Sequence, residues 1–114
     1  MGTDRAVAAL GALAQETRLG IFRLLVQAGP AGLNVGEIGE ALSVAPATLS
    51  FHLKTLAQAG LVTTEPRGRF IVCRADYDAM QRLVGYLMDN CCGGGRAGCA
   101  TEQSPKPVVG RSRR

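Results

Sequence analysis

Three cysteines lie close together near the carboxyl end of the sequence, and their spacing suits the binding of a soft ion. Cys91 and Cys92 are adjacent, and Cys99 follows after a stretch that is mostly glycine. Glycine lets the backbone fold back tightly, so the three sulfur atoms can converge on one point. Thiolates are soft ligands and select soft centres.

The fourth ligand that structural zinc requires is missing from this cluster. Structural zinc usually has four ligands drawn from Cys and His. The sequence has one histidine, His52, and the remaining cysteine, Cys73, lies in a predicted strand, where we interpret it as a packing residue. Three thiols alone favour a three-coordinate thiophilic ion, with trivalent arsenic or antimony first and lead, cadmium or mercury behind them. The alternative is a set of redox-sensitive thiols.

The sequence contains no recognisable catalytic constellation. It has one histidine, no paired carboxylates in an evident cleft, no nucleophile elbow and no phosphate-binding loop. We therefore expect that the protein is not an enzyme and that it has no permanent cofactor.

Residues 34–62 are the segment around which the rest of the chain is organised. Asn34 can cap a helix, and Glu37 is placed to complete a capping box. The helix that follows has one apolar stripe, formed by Val35, Ile38 and Leu42. Residues 43–45 break this pattern.

A second helix begins at Pro46, which suits the first helical position because its missing N–H would be unpaired there. Gly60 is placed to end this helix. The core-facing stripe consists of Leu49, Leu53 and Leu56. Two helices joined by a short turn predict a helix-turn-helix.

The opposite face of the second helix combines small residues, hydroxyls, an aromatic ring and a cation. This combination suits close approach to a DNA groove, base-edge hydrogen bonds, contact with a thymine methyl and a phosphate contact. His52 lies beside the leucine stripe, so it is either half-buried and structural or in contact with a phosphate. The predicted DNA contacts on this helix are Ala47, Thr48, Ser50, Phe51, His52 and Lys54. The alternative is an ordinary solvent-facing helix.

A β-hairpin is predicted directly after this helix. Residues 61–65 and 70–74 have strand propensity, and residues 66–69 form the turn between them. A two-stranded ribbon after a helix-turn-helix is typical of a wing. Arg67 and Arg69 at its tip are placed to contact phosphates or a narrow minor groove, although an ordinary hairpin with solubilising arginines is the alternative.

Two further helices precede residues 34–62, and one helix follows the hairpin. Residues 4–13 place Val7, Leu10 and Ala14 on one side of the first helix. The second helix spans residues 16–28 and is expected to turn Leu19, Phe22, Leu25 and Val26 inward. Asp76 can cap a last helix that runs to about residue 90. Its broad apolar face consists of Met80, Leu83, Val84, Leu87 and Met88. We expect the first and last helices to form the seam of a homodimer, since one small domain would not bury both faces.

The composition fits one small, mainly helical domain. The chain has 114 residues, 46% hydrophobic and 4% aromatic side chains, and a net charge of +4 whose basic excess falls on residues 41–75 and 101–114. No apolar run reaches the roughly 18 residues of a membrane span, and the amino terminus does not resemble a secretory signal. We expect a cytoplasmic protein without a membrane partner, whose cysteines are thiols or ligands.

The fold class that these elements predict is mainly α with a two-stranded β wing, a homodimeric winged helix-turn-helix. Residues 1–90 form the DNA-binding and dimerisation domain, and residues 91–99 form a cysteine-rich inducer-binding segment. Residues 100–114 form a basic tail with too few apolar residues to pack, which we expect to be disordered.

The runs ETRLGIFRLL and LSFHLKTLAQAGLV, followed by the arginine-tipped hairpin, resemble the ArsR (ArsR/SmtB) family of winged-helix metalloregulatory repressors. The resemblance covers residues 5–90. It implies a homodimer that binds operator DNA without inducer and releases it when inducer binds. Many arsenic sensors of the family carry Cys-Val-Cys where this chain has Asn34, Val35 and Gly36, and the histidines of the family's zinc site are absent.

Cys91, Cys92 and Cys99 instead resemble the ligands of a subgroup of arsenite repressors whose three thiols follow the last helix. A related subgroup that senses methylarsenite uses only two cysteines. The sequence therefore predicts a repressor that leaves an inverted-repeat operator when it binds As(III) or Sb(III). The alternatives are a sensor of methylarsenite, lead, cadmium or thiol oxidation on the same fold, and a thiol metal-carrying protein without a DNA role.

Overall fold

The computed structural model describes residues 1–94, so Cys99 and the predicted tail at 100–114 lie outside the described residues. The elements in chain order are α1 (Thr3–Leu13), α2 (Glu16–Ala28), β1 (Leu33–Asn34), α3 (Val35–Leu42), α4 (Pro46–Gln58), β2 (Val62–Arg67), β3 (Phe70–Ala75), α5 (Tyr77–Met88) and a single turn, α6 (Cys91–Gly94). The predicted winged helix-turn-helix is confirmed. Among the described residues, no helix is long and apolar enough to cross a membrane.

Local capping rules set the starts of three helices. The Asn34 side chain accepts the backbone N–H of Glu37, and the Glu37 carboxylate accepts the backbone N–H of Asn34, each at 2.8 Å. This is the predicted capping box. Pro46 is the first residue of α4, and the Asp76 carboxylate caps α5 by accepting the Ala79 N–H at 3.0 Å.

The sheet has three antiparallel strands in the order β1-β3-β2. The predicted hairpin is present, but its strands are longer than expected, because Pro66 and Arg67 pair with Ile71 and Phe70 and leave a turn at Gly68. Proline is tolerated here because β2 is an edge strand. The third strand, β1, was not predicted from the sequence, and it attaches the helix-turn-helix to the wing through the pairing of Leu33 with Cys73.

Gly32 makes the close contact between β1 and the wing possible. Its φ of +72° lies in the left-handed region, and a Cβ atom there would lie 2.4 Å from the carbonyl oxygen of Cys73. Any side chain at this position would therefore force the two strands apart, so the link between wing and helix-turn-helix depends on this glycine.

One apolar core joins all the longer helices to the sheet. Its largest fully buried side chains come from α2, α3, α4 and β3 and from Leu61, and the whole leucine stripe predicted for α4 is buried. The core consists of Ala6, Ala9, Ala12, Ile21, Phe22, Leu25, Ile38, Leu49, Leu53, Leu56, Leu61, Val62, Cys73, Ala75 and Leu83. Cys73 is fully buried, as expected for a packing residue.

The inward face of α2 differs from the prediction at Leu19. This side chain is 44% exposed, whereas Ile21, which was not assigned to the inward face, is fully buried. Phe22 and Leu25 are buried as expected. Two stripes of this helix are periodic and apolar, and contacts with α3 and α4 decide which one turns inward.

Helices α1 and α5 keep exposed apolar side chains. The core-facing side of α1 consists of three alanines, so Val7 and Leu10 remain 61% and 42% exposed. On α5, Leu83 is buried, while Leu87 is 57% exposed. The hydroxyl groups of Thr3 and Tyr86 lie 2.6 Å apart and connect the two helices.

Candidate nucleic-acid interface

Helix α4 presents a solvent-facing surface that contains five of its six predicted DNA contacts. Its inner side is fixed by the buried leucine stripe, which leaves the opposite side uncovered. Phe51 is 63% exposed, an unusual degree for an aromatic side chain of this size. The exposed members of the predicted set are Ala47, Thr48, Ser50, Phe51 and Lys54.

His52, the sixth predicted contact on this helix, is largely buried and so differs from the other five. Its side chain is only 9% exposed. Its Nδ1 atom lies 3.3 Å from a terminal nitrogen of Arg18, on helix α2. Of the two alternatives that the sequence left open for His52, a structural role or contact with a phosphate, its position supports the structural role.

The two predicted wing arginines have different surroundings. Arg69 follows Gly68 in the turn and is exposed; within residues 1–94 it has no carboxylate partner. Arg67 is the last residue of β2, and its Nε donates a hydrogen bond to Glu65 at 3.1 Å. Arg69 is thus free to meet an anion, whereas Arg67 is held by a carboxylate.

Glu65 is the centre of an ion-pair network on the wing. Arg74 donates from a terminal nitrogen to the Glu65 carboxylate at 2.8 Å and from Nε to the Pro30 carbonyl at 2.9 Å. The hydrogen bond from Arg74, followed by that from Arg67, lowers the pKa of Glu65 from its ordinary value of 4.5. The network braces the hairpin against the loop after α2.

An open groove of about 310 Å³ separates α4 from the sheet. Four residues of α4, two of them polar, line the groove together with residues of the strands. The residues that line it are Val35, Ser50, Leu53, Lys54, Ala57, Thr64, Ile71 and Cys73. Burial raises the pKa of the Cys73 thiol, which keeps this sulfur protonated and poorly reactive.

Two of the three predicted thiol ligands lie directly beyond α5. Cys91 is half-buried and Cys92 is exposed. The backbone around them is tightly folded, with positive φ angles at Asn90, Cys92 and Gly93. Within residues 1–94, no group of three His, Cys, Asp or Glu side chains is placed to hold a metal ion, and the third predicted ligand, Cys99, lies outside this range.

The chain is similar to known DNA-binding regulators. The family described as "Helix-turn-helix domain" matches residues 13–65. A relative from Bacillus subtilis (strain 168), the uncharacterized HTH-type transcriptional regulator YceK, is 40% identical over 78 residues, which cover 67% of this chain and 76% of the relative.

Solved structures similar to this chain indicate which family of helix-turn-helix regulators it belongs to. An ArsR-like transcriptional regulator from Rhodococcus sp. RHA1 is 27% identical, with a TM-score of 0.65 over 74% of this chain and 76% of that chain. The chain belongs to the ArsR family of transcriptional regulators. The homodimeric winged helix-turn-helix DNA-binding domain of Mb0332 from Mycobacterium bovis, a possible ArsR-family regulator, is 26% identical, with a TM-score of 0.62 over 75% and 83% of the two chains.

In this ArsR-family regulator, sequence reasoning missed three charged residues that shape the candidate interface. Glu65 and Arg74 are diagonal neighbours in the hairpin, since Arg74 lies opposite Thr63 and Glu65 lies opposite Val72. Opposite charges at such positions attract one another, so the predicted hairpin already contained this signal. Arg18 gave no comparable signal, because its partner His52 is 34 residues away.

Replacing Glu65 by glutamine is expected to strengthen DNA binding by this ArsR-family regulator. The change removes the carboxylate that holds Arg67 and leaves that guanidinium available to phosphate. One additional phosphate contact would steepen the plot of log affinity against log salt by about one unit. Fluorescence anisotropy at several salt concentrations measures this slope.

Asp78→Asn is the matched control for Glu65→Gln, because it changes the net charge equally and also releases an arginine, Arg82, but on α5. An equal slope in Glu65→Gln and the parent protein would contradict the proposed role of Arg67.

The pKa of Glu65 is depressed by folding, so its contribution to stability is present above pH 4.5 and is lost as the pH falls through the folded value. The glutamine variant should lack this acid-dependent component.

Proposed function

We propose that this ArsR-family protein is an arsenite- or antimonite-responsive repressor that binds operator DNA as a dimer and releases it when As(III) or Sb(III) binds. The observation that carries the proposal is the position of Cys91 and Cys92, immediately beyond a helix with an uncovered apolar face. An inducer held there would act on the end of α5, close to the proposed dimer seam. The protein has no proposed catalytic role.

The thiols present suit this inducer chemically. Cys92 is exposed, and Cys91 is adjacent to it in a tightly turned backbone. With Cys99 they supply three soft ligands, the number that a three-coordinate centre needs. As each thiol replaces a hydroxide of arsenous acid, its proton joins the departing hydroxide. Three As–S bonds form, three As–O bonds break and three water molecules leave.

The proposed dimer seam consists of the outward faces of α1 and α5. Both faces keep large apolar side chains in contact with water, among them Val7, Leu10, Val84, Leu87 and Met88. Contiguous apolar patches of this kind mark interaction surfaces. The homodimeric state of Mb0332 supports the same assembly for this chain. A twofold dimer would place two α4 helices about 34–36 Å apart, which suits an inverted repeat.

The proposed DNA contacts are the exposed α4 residues and the wing arginines. Helix α4 would enter the major groove with Ser50, Phe51 and Lys54 towards the bases and backbone. Arg69, and Arg67 when Glu65 releases it, would contact phosphates or the minor groove. His52, which is buried beside Arg18, has a structural role in this proposal.

Release of the operator requires that the inducer favour a dimer geometry that binds DNA less well. The linkage between the two binding events is reciprocal, and typical coupling free energies of about 1–3 kcal/mol correspond to a 5- to 150-fold change in affinity. Because the cysteines follow α5 directly, a change at its end would alter the seam and with it the spacing of the two α4 helices.

The test is an arsenite titration of the full chain bound to DNA selected from a random pool. Fluorescence anisotropy under reducing conditions should fall with arsenite and remain constant with zinc. Persistence of the complex with arsenite would refute arsenite sensing but keep the DNA-binding regulator. Release by peroxide, reversed by dithiothreitol, would favour thiol oxidation, and failure to bind any sequence would favour the thiol protein without a DNA role.

Replacing Leu87 by glutamate is expected to separate the dimer and weaken operator binding at least about tenfold. A charge at the centre of an apolar seam would be buried without a partner, while in a single chain the side chain is already 57% exposed. Sedimentation measures the mass and anisotropy measures the affinity. Arg82→Glu on the same helix is the control, since Arg82 is exposed and already polar. A dimeric Leu87→Glu protein would place the seam elsewhere.

A further inference from the structure

Phe51 is held by a chain of contacts that crosses three helices. Its ring meets the His52 ring edge to face, with centroids 5.5 Å apart and planes inclined at 61°. His52 is buried, so it offers a firm support to an aromatic ring that is itself 63% exposed. Edge-to-face packing at this distance is a favourable aromatic geometry.

Arg18 fixes the orientation of His52 in turn. Its Nε donates to the Ala12 carbonyl near the end of α1 at 2.7 Å, and a terminal nitrogen lies 3.3 Å from His52 Nδ1. Arginine is only a donor, so in this hydrogen bond the Nδ1 atom of His52 is the acceptor. The Gln15 side chain further fixes Arg18 by accepting its backbone N–H at 2.9 Å.

This support distinguishes Phe51 from an incidental surface aromatic. The exposed residues around it on α4 are polar or small, among them Ser50, Lys54 and Ala47, so Phe51 is the large apolar group available to the DNA on this face. In the major groove the apolar group that a base presents is the C5 methyl of thymine, and a phenyl ring is a suitable contact for it.

We propose that Phe51 is a specificity-determining residue that selects a thymine methyl in each operator half-site, and that Arg18 and His52 are positioning residues for its ring. The proposal rests on the proposed DNA-binding surface of α4 and adds a base preference to it. Deoxyuridine differs from thymidine only by this methyl group, so it tests the contact without altering hydrogen bonds.

The experiment uses the full chain and its own pool-selected operator, in which each thymine is replaced in turn by deoxyuridine. Burial of one methyl-sized group corresponds to about a fourfold change in affinity. We expect one thymine in each half-site to show a loss of about this size with the parent protein. Phe51→Ala should bind the thymine and deoxyuridine operators equally. Phe70→Ala is the matched control, because Phe70 is also exposed, at 58%, but lies on the wing.

The positioning role has its own test. Arg18→Met removes both donated hydrogen bonds and should lower the thymine-to-deoxyuridine affinity ratio towards one. Ile21→Val, a change to a fully buried neighbour on the same helix, controls for lost stability and should keep the ratio. An equal ratio in Arg18→Met and Ile21→Val would overturn the positioning role of Arg18.

The remaining outcomes separate this proposal from the function on which it rests. Operator binding by the parent protein that is insensitive to every deoxyuridine would overturn the role of Phe51 and leave the repressor intact. Failure to bind any DNA would overturn both. Sensitivity that persists in Phe51→Ala would assign the methyl contact to another residue and also overturn the proposal.

Discussion

The Cys91→Ser protein is expected to bind its operator as tightly as the parent and to remain bound when arsenite is added. Serine keeps the size of the side chain but cannot supply a soft thiolate. Cys91 lies beyond α5 and outside the helix-turn-helix and the wing, so the DNA-contacting surface is untouched. The parent complex should weaken 5- to 150-fold on arsenite addition, the range of typical allosteric coupling, and the variant complex should not weaken. Anisotropy titrations of the two proteins on one operator measure the difference.

Cys73→Ala is the matched control for Cys91→Ser. Cys73 is fully buried in β3, and burial raises the pKa of its thiol, so its removal should leave release by arsenite intact. Release from the Cys91→Ser complex at the parent's arsenite concentration would refute the proposed site. Cys99→Ser then separates the two arsenic chemistries: a three-thiol arsenite site needs this residue, whereas a two-thiol methylarsenite site does not.

Leu56→Ala is expected to lower the free energy of unfolding by about 2–5 kcal/mol, the range for large-to-small changes in a closed core. Leu56 is fully buried on the inner side of α4, within the core that fixes this helix against the rest of the domain. A loss of this size is a large fraction of the stability of a small domain. Urea unfolding at one fixed protein concentration measures it, since the stability of a dimer depends on concentration.

Leu19→Ala provides the comparison for Leu56→Ala. The chemical change is the same, but Leu19 is 44% exposed on α2, so little packing is lost and the free energy of unfolding should change by about 0.5 kcal/mol or less. Equal destabilisation by the two substitutions would mean that Leu19 is covered in solution. That result would extend the dimer seam to α2.

Elements governed by neighbouring residues were predictable from the sequence. The Asn34–Glu37 capping box and the Asp76 cap each depend on groups three positions apart, Pro46 at the start of α4 depends on the proline itself, and all are present. The leucine stripe of α4 followed from spacing alone. The hairpin was also predictable, because two strand-forming runs flank a glycine-containing turn.

Features that depend on distant residues were not predictable. Strand β1 has only two residues, too few for a periodic pattern, and exists because Gly32 allows it to approach β3. The exposure of Leu19 and the burial of Ile21 depend on which stripe of α2 meets the other helices. On the candidate interface, spacing located five exposed α4 residues, but the burial of His52 follows from a partner on α2.

The contact between Thr3 and Tyr86 has a consequence for biosynthesis. The two hydroxyl groups are 83 positions apart in sequence, so a ribosome must release almost the whole described domain before α5 can pack against α1. The proposed dimer seam, which needs the outward faces of both α1 and α5, is therefore complete only after α5 has left the ribosome.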